Sequence, residues 1–328
     1  MKIGILFSGQ GAQYSGMGRS LYDNCPKAKE IFDMAGDEIK RRCFEGSDED
    51  LKQTEITQPV VYTVSMAAWA AFKDLLETEL PAGRVEVAGM AGFSLGEYAA
   101  YTASGIIRDF ETGLALVKKR GAFMSEAGRY ADGSPRGAMA ALMGNREAIL
   151  RSVEAARGDD VFEAVNFNAP NQTVAAGDAA AIERLKIRAK ADGVKIIPLN
   201  VSTAFHTPIM MPASEELRRF TEDFIFETPN TPLYSNITGR KLMDDKPEDM
   251  PVSAWVRDRM SQQVMCPVYW QETIESMAAD GICYFIETGP GKTLAKLVKR
   301  SSPEASAFNI EDVESLMNTI GELKNAAQ

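Results

Sequence analysis

A serine flanked by glycines and a solitary histidine are the residues of this chain best suited to chemistry. Ser94 lies in Gly92-Phe93-Ser94-Leu95-Gly96, the Gly-x-Ser-x-Gly pattern of a side chain held on a sharp strand-to-helix turn. Small flanking residues let the backbone turn tightly, so the hydroxyl is exposed and the next backbone N–H faces a developing oxyanion. A serine hydroxyl is a weak nucleophile at neutral pH and needs a base within hydrogen-bond reach. His206, in Ala204-Phe205-His206-Thr207-Pro208, is the one histidine among 328 residues, so only one imidazole can be that base. Each residue also has a plainer reading. The pentapeptide alone can be a Ser/Gly turn before a helix, and a lone histidine beside Phe and Pro can be a satisfied structural residue. The apolar run before Ser94, the helical pattern after it and the small, turn-like surroundings of His206 favour the catalytic pair.

A third segment, Gly9-Gln10-Gly11-Ala12-Gln13, follows an apolar run at residues 3–7. A glycine-rich turn after a strand can cradle phosphate. Its spacing matches neither G-x-G-x-x-G nor G-x-x-x-x-G-K-[ST], so a contribution of backbone N–H groups to an oxyanion hole is the better reading.

The elements that must position these residues alternate between strand and helix. Residues 3–7 and 87–93 read as buried strands, the second ending at Ser94. Helical patterns cover residues 26–39, 58–76 and 95–104, with a capping-box-like start at Ser47 and a stop at Gly105. Asp109 caps a further helix to about residue 126. The polar stretch 129–136, with Gly133, Ser134 and Pro135, marks a boundary. Beyond it, strands at 137–143, 162–167, 173–176 and 195–199 enclose helices at 146–156 and 179–191, the order of a ferredoxin-like unit. Alternation then resumes, with strands at 233–236 and 283–287 and helices at 213–223, 252–263 and 271–279. The expected organisation is an α/β core with a parallel sheet, residues 1–130 and 201–328, interrupted by a ferredoxin-like subdomain, 131–200.

Composition is that of a globular enzyme, with 45% hydrophobic and 25% charged residues. No apolar run approaches the ~20 residues that span a bilayer, and the N-terminus reads as a strand rather than a signal peptide. The expected location is the cytoplasm. Cys25, Cys43, Cys266 and Cys283 are scattered without a C-x-x-C pair, which points to free thiols rather than a zinc site or disulfides. A net charge of −10 argues against nonspecific nucleic-acid binding.

Taken together the motifs resemble those of the malonyl-CoA:acyl-carrier-protein transacylase family, which includes the acyltransferase domains of fatty acid and polyketide synthases. The similarity runs through six segments in family order: Gly9 to Gln13, Gly92 to Tyr98, Lys119 to Met124, Val165-Asn166-Phe167-Asn168-Ala169-Pro170, Ala204 to Pro208, and Glu287 to Lys292. The resemblance implies a hydrolase-like core, Ser94 as nucleophile and His206 as general base. It implies backbone N–H groups of Gln10 and Leu95 as the oxyanion hole, and the main-chain carbonyl of Gln263 as the group orienting the base. Arg120 matches the arginine that grips a malonyl carboxylate, a role suited to a guanidinium fork. From spacing alone, Arg120 beside Lys118 and Lys119 reads as a solvated charge ending a helix. Phe93, Met124, Phe205 and Asn168 are implied to line the pocket.

Two positions depart from the family pattern. Phe93 stands where most members have His, which bears on substrate selection, and Ser8 replaces a common Pro. Phe205 before His206 resembles the residue of malonyl-selective members. The implied reaction moves a malonyl group from coenzyme A to the phosphopantetheine thiol of acyl carrier protein, with no metal or cofactor, in a monomer. An acidic carrier protein would need a local basic patch, to which Lys118, Lys119, Arg136 or Lys195 could contribute. The alternatives are a polyketide acyltransferase, a serine thioesterase or hydrolase using the same dyad with water as acceptor, and a catalytically silent carrier-protein scaffold.

Overall fold

The computed structural model describes residues 1–81, 83–199, 201 and 203–327; residue 200, the expected end of the insertion, lies outside them. The chain is a mixed α/β protein, with two four-stranded sheets among the described residues. The strands are β1 (Lys2–Phe7), β2 (Glu86–Gly92), β3 (Ala138–Met143), β4 (Phe162–Ala169), β5 (Gln172–Gly177), β6 (Lys195–Pro198), β7 (Tyr284–Thr288) and β8 (Ser306–Ile310). One sheet is parallel throughout, in the order β2-β1-β7-β8. The other is antiparallel, in the order β4-β5-β3-β6.

Parallel strands covered by helices on both faces are apolar on both faces. β1 obeys this, with Ile3, Ile5, Leu6 and Phe7 fully buried. The helix Thr54–Glu79 is buried on nearly all sides of its first five turns and anchors the larger of the apolar clusters. The antiparallel sheet shows the period-two alternation of a two-faced layer. Ala140, Leu142 and Ala175 pack against the helices Arg146–Arg157 and Ala179–Ala191. Met139, Ala141, Val165, Val174 and Ala176 turn the other way, toward Met124, Phe205 and Ile209. That second face forms one wall of the cavity described below.

Most expected elements are present, with informative differences. The helix expected over 26–39 is two helices, Pro26–Ala35 and Asp37–Glu45, broken at Gly36 with φ 89°. The Ser47 cap serves a short 3₁₀ turn, Asp50–Lys52, where Ser47 Oγ accepts from Asp50 N at 3.1 Å; the long helix begins afterwards at Thr54. The strand expected at 233–236 is reduced to two isolated bridges, Leu233 with Met90 beside β2 and Tyr234 with Lys241. β8 and the C-terminal helix Val313–Ala326 were not anticipated. Among the described residues no helix is long and apolar enough to cross a membrane.

The glycines around Ser94 are dictated by close approach. A Cβ on Gly92 would lie 2.0 Å from the Gly96 carbonyl, and one on Gly96 would lie 2.1 Å from the Phe7 oxygen. Both obstacles are backbone, which no rotamer change can move. Gly96→Ala is therefore expected to cost about 3 kcal/mol, at the upper end of ordinary overpacking. Urea unfolding checks this, and a midpoint equal to that of the parent would refute the close-approach account.

Candidate active site

β2 ends at Gly92 and the helix Gly96–Ala103 begins four residues later, leaving Ser94 at the apex with φ 50°. A non-glycine residue in the left-handed region costs roughly 1–3 kcal/mol and persists only where its surroundings enforce it. His206 is the other non-glycine residue with positive φ among those described, at 63°. The strained pair meets: Ser94 Oγ lies 2.8 Å from His206 Nε2.

Two main-chain carbonyls fix the imidazole. His206 Nδ1 lies 3.0 Å from Gln263 O and 3.0 Å from Cys266 O. Because carbonyls only accept, Nδ1 carries the proton and Nε2 is left free to accept from Ser94. The expected Gln263 carbonyl is thus joined by that of Cys266. Burial pulls the His206 pKa down to about 4, the positive charge of Arg120 pulls in the same direction, and the two carbonyls oppose both. The ring is consequently neutral at pH 7.

Arg120, on the helix Phe110–Ala127, is not a solvated charge. It is 1% exposed, donates from Nη2 to Ser94 Oγ at 3.2 Å and to Gln263 Oε1 at 2.9 Å, and sits 4.9 Å from the Tyr98 ring centroid. No carboxylate lies within ion-pair distance of it among the described residues, and its buried Nε has no acceptor. Desolvation lowers its pKa, partly offset by Tyr98 and Glu97. A buried cation without an acid partner is costly. Such a site suits an anion supplied from outside.

Gln10 follows β1 and is tied by its side chain to Thr54 Oγ1 at 3.2 Å. The backbone N–H groups of Gln10 and Leu95 are engaged by no hydrogen-bond acceptor among the described residues. A cavity of about 430 Å³ opens over Ser94, lined by Gln10, Phe93, Arg120, Met124, Phe205 and His206, with Met139, Asn166, Leu199 and Val201 from the antiparallel sheet and its exit. Phe93, Met124 and Phe205 are part of this lining. Asn168 is not: it lines an adjoining cavity, and Asn166 occupies the corresponding place beside Ser94. The β-bulges of β4 at 164–169 shift the side-chain alternation there. Phe93 packs edge-on against Trp270, with centroids 5.4 Å apart.

Sequence reasoning missed two buried residues behind Ser94. Asn236 Oδ1 accepts from Ser94 N at 2.8 Å, and its Nδ2 donates to Gly92 O at 2.7 Å. Glu97 Oε1 in turn accepts from Asn236 N at 2.9 Å. Glu97 stands inside the serine motif, which was its only signal; Asn236 had none. Burial pushes the Glu97 carboxyl up to about 7, against the pull of Asn236, Gln263 and Arg120.

A serine hydroxyl against an imidazole, two free backbone N–H groups and a buried cation form an arrangement suited to acyl transfer. A family model described as "Acyl transferase domain" matches residues 5–325, and the chain belongs to that acyl transferase family. Its relatives include the "Malonyl CoA-acyl carrier protein transacylase" of Bacillus subtilis (strain 168), 34% identical over 330 residues and matched across 98% of each chain. The crystal structure of malonyl CoA-acyl carrier protein transacylase from Clostridium perfringens aligns with a TM-score of 0.87 at 34% identity, covering 99% of this chain and 98% of that one. A malonyl-transacylase solved in complex with a type II PKS acyl-carrier protein aligns with a TM-score of 0.86 at 32% identity, covering 98% of this chain and 100% of that one.

The electrostatics set a pH dependence. Only a neutral imidazole can accept a proton from Ser94, and burial and Arg120 both favour it, so Ser94 reactivity is expected to persist down to about pH 4 and to fall as pH drops through that value. Sulfonylation of Ser94 by phenylmethanesulfonyl fluoride is expected to follow this acid limb. Arg120→Gln removes the neighbouring charge and moves the limb upward. An acid limb of the parent at the ordinary histidine value of about 6.5 would contradict the account.

Proposed function

We propose that this chain transfers a malonyl group from coenzyme A to the phosphopantetheine thiol of acyl carrier protein, in fatty acid biosynthesis. The observation that carries this reading is Arg120, buried without an acid partner and 3.2 Å from the nucleophile oxygen. The malonyl carboxylate supplies the missing anion and would hold the thioester over Ser94. As Ser94 Oγ attacks the thioester carbon, its proton passes to His206 Nε2. The Gln10 and Leu95 N–H groups take the developing oxyanion, which is where preorganised donors gain most. The C–S bond breaks, coenzyme A leaves with the proton returned by His206, and a malonyl-serine ester remains. His206 then deprotonates the incoming phosphopantetheine thiol, and collapse of the second tetrahedral adduct regenerates Ser94. The His206 dipole is oriented by backbone carbonyls, so no third acid is required.

The malonyl group matters twice. Its carboxylate offsets the Arg120 charge that depresses His206, so the loaded enzyme holds a more basic imidazole than the free one. Phe93, Met124 and Phe205 give the acyl pocket apolar walls beside Arg120, consistent with malonyl as the group admitted.

We assign residues 1–130 and 201–328 to a hydrolase-like core and 131–200 to a ferredoxin-like subdomain, a reading supported by the strand order β4-β5-β3-β6 with both helices on one face. We place the protein in the cytoplasm as a monomer that binds neither nucleic acid nor membrane. A polyketide carrier protein is the second reading of the acceptor, favoured by the likeness to the transacylase solved with a type II PKS carrier.

Intact-mass measurement of Ser94 loading from malonyl-, methylmalonyl- and acetyl-CoA tests the reading. Malonyl is expected to load fastest, and Arg120→Ala to lower malonyl loading about 10²-fold or more while affecting acetyl loading far less, as expected for a desolvated charge pair. His206→Ala abolishes loading. Equal loading of malonyl and acetyl groups by the parent, or release of free malonate in place of transfer to carrier protein, would defeat the assignment.

A further inference from the structure

We infer that Asn236 and Glu97 are positioning residues, a side-chain clamp that sets the nucleophile turn and selects which backbone N–H faces the oxyanion. The inference rests on the proposed acyl transfer at Ser94, and it begins at the free edge of β2. There the segment around Leu233 runs beside the strand, exchanging main-chain bonds with Met90: Met90 N donates to Pro232 O at 2.8 Å, and Tyr234 N donates to Met90 O at 2.9 Å. A regular ladder would continue with backbone pairing at Gly92 and Ser94. It does not continue, because β2 has begun its turn and no longer presents strand geometry.

Asn236 completes the ladder with its side chain. Its amide oxygen takes the Ser94 N–H, and its amide nitrogen donates to the Gly92 carbonyl two residues earlier. One carboxamide thereby satisfies the donor and the acceptor on either side of Phe93, whose own N–H is taken by Phe7 O at 3.0 Å. With the Phe93 and Ser94 N–H groups both engaged, Leu95 supplies the first free N–H after the nucleophile. The Ser94 carbonyl is held as well, accepting from Gln263 Nε2 at 2.7 Å. The peptide planes on both sides of Ser94 are fixed, and φ 50° follows.

The clamp is itself anchored. Asn236 is fully buried, and its backbone N–H donates to Glu97 Oε1 at 2.9 Å. Glu97 is also fully buried, on the first turn of the helix that Ser94 introduces. The serine motif therefore carries its own support: the carboxylate three residues after the nucleophile fixes the residue that fixes the nucleophile. Neither side chain lines the cavity over Ser94, so both act through the turn rather than on substrate.

The test separates geometry from both folding and substrate choice. Second-order inactivation by phenylmethanesulfonyl fluoride reports Ser94 reactivity without any malonyl group. In it the Ser94 Oγ–S bond forms, fluoride leaves and His206 takes the proton. Asn236→Ala is expected to slow this reaction and malonyl loading by about 10²-fold each, the scale of losing oxyanion alignment, while KM for malonyl-CoA changes less than about threefold. Glu97→Gln keeps an acceptor for Asn236 N–H and is expected to stay within about threefold of the parent, whereas Glu97→Ala falls at least about tenfold. If Asn236→Ala does not fold, Asn236→Asp keeps the acceptor for Ser94 N–H, loses the donor to Gly92 O, and should still slow inactivation about tenfold or more. A folded Asn236→Ala or Asn236→Asp reacting at the parent rate, a loss confined to KM, or Glu97→Gln as impaired as Glu97→Ala would each overturn the inference. Slow sulfonyl fluoride reaction in the Asn236 variants of a parent that fails to load malonyl would uphold the clamp and reject only the acyl donor.

Discussion

Ser94 occupies a backbone conformation that an L-amino acid resists, and the core is arranged to make it adopt that conformation. β2 must stop, turn and become a helix within four residues, in a space where the Gly96 backbone lies against the end of β1. That crowding leaves no room for a relaxed turn. The hydroxyl is pushed out toward His206, which is strained in the same sense on the opposite side of the gap. Parallel pairing of β1 with β2 and β7 supplies the rigidity against which the turn is forced. Strain of this size persists only where many neighbours enforce it at once.

The polar groups around the turn are connected rather than merely adjacent. Arg120 reaches Ser94 and Gln263; Gln263 reaches the Ser94 carbonyl with its side chain and His206 with its backbone. A displacement of one member is thus felt by Ser94, His206 and Arg120 together. Low local dielectric makes such networks worth keeping complete and costly to leave partial. The unpaired Nε of Arg120 and Oε2 of Glu97 are the places where this one remains incomplete. The first of these belongs to the residue that touches Ser94, and the second lies behind it.

Much of this was legible in the sequence because each signal was local. Gly92 and Gly96 flag the turn, Asp109 flags the start of the Arg120 helix through its bond to Thr112 N, and the apolar run in 138–143 flags a strand. Gly36 was read through because a single glycine leaves the apolar period of its neighbours intact while its φ of 89° ends the helix. β8 escaped notice because its residues are mostly half-buried at a sheet edge, without an apolar run. Arg120 looked like one of three surface cations, since burial of a charge depends on distant Ser94 and Gln263 rather than on Lys118 and Lys119. Asn236 was invisible for a related reason. It substitutes a side chain for a main-chain rung 142 residues away, and no periodicity encodes that.

The division of the cavity wall between the two sheets has its own consequence. Ser94 and Gln10 come from the loops at the ends of β2 and β1, whereas Met139 and Asn166 project from β3 and β4 and Leu199 follows β6. Part of the room over Ser94 is therefore set by a layer that takes no part in the contact between Ser94 and His206. Drift in the antiparallel layer reshapes that part of the cavity while Ser94 and His206 stay where the turn after β2 and the carbonyls of Gln263 and Cys266 hold them.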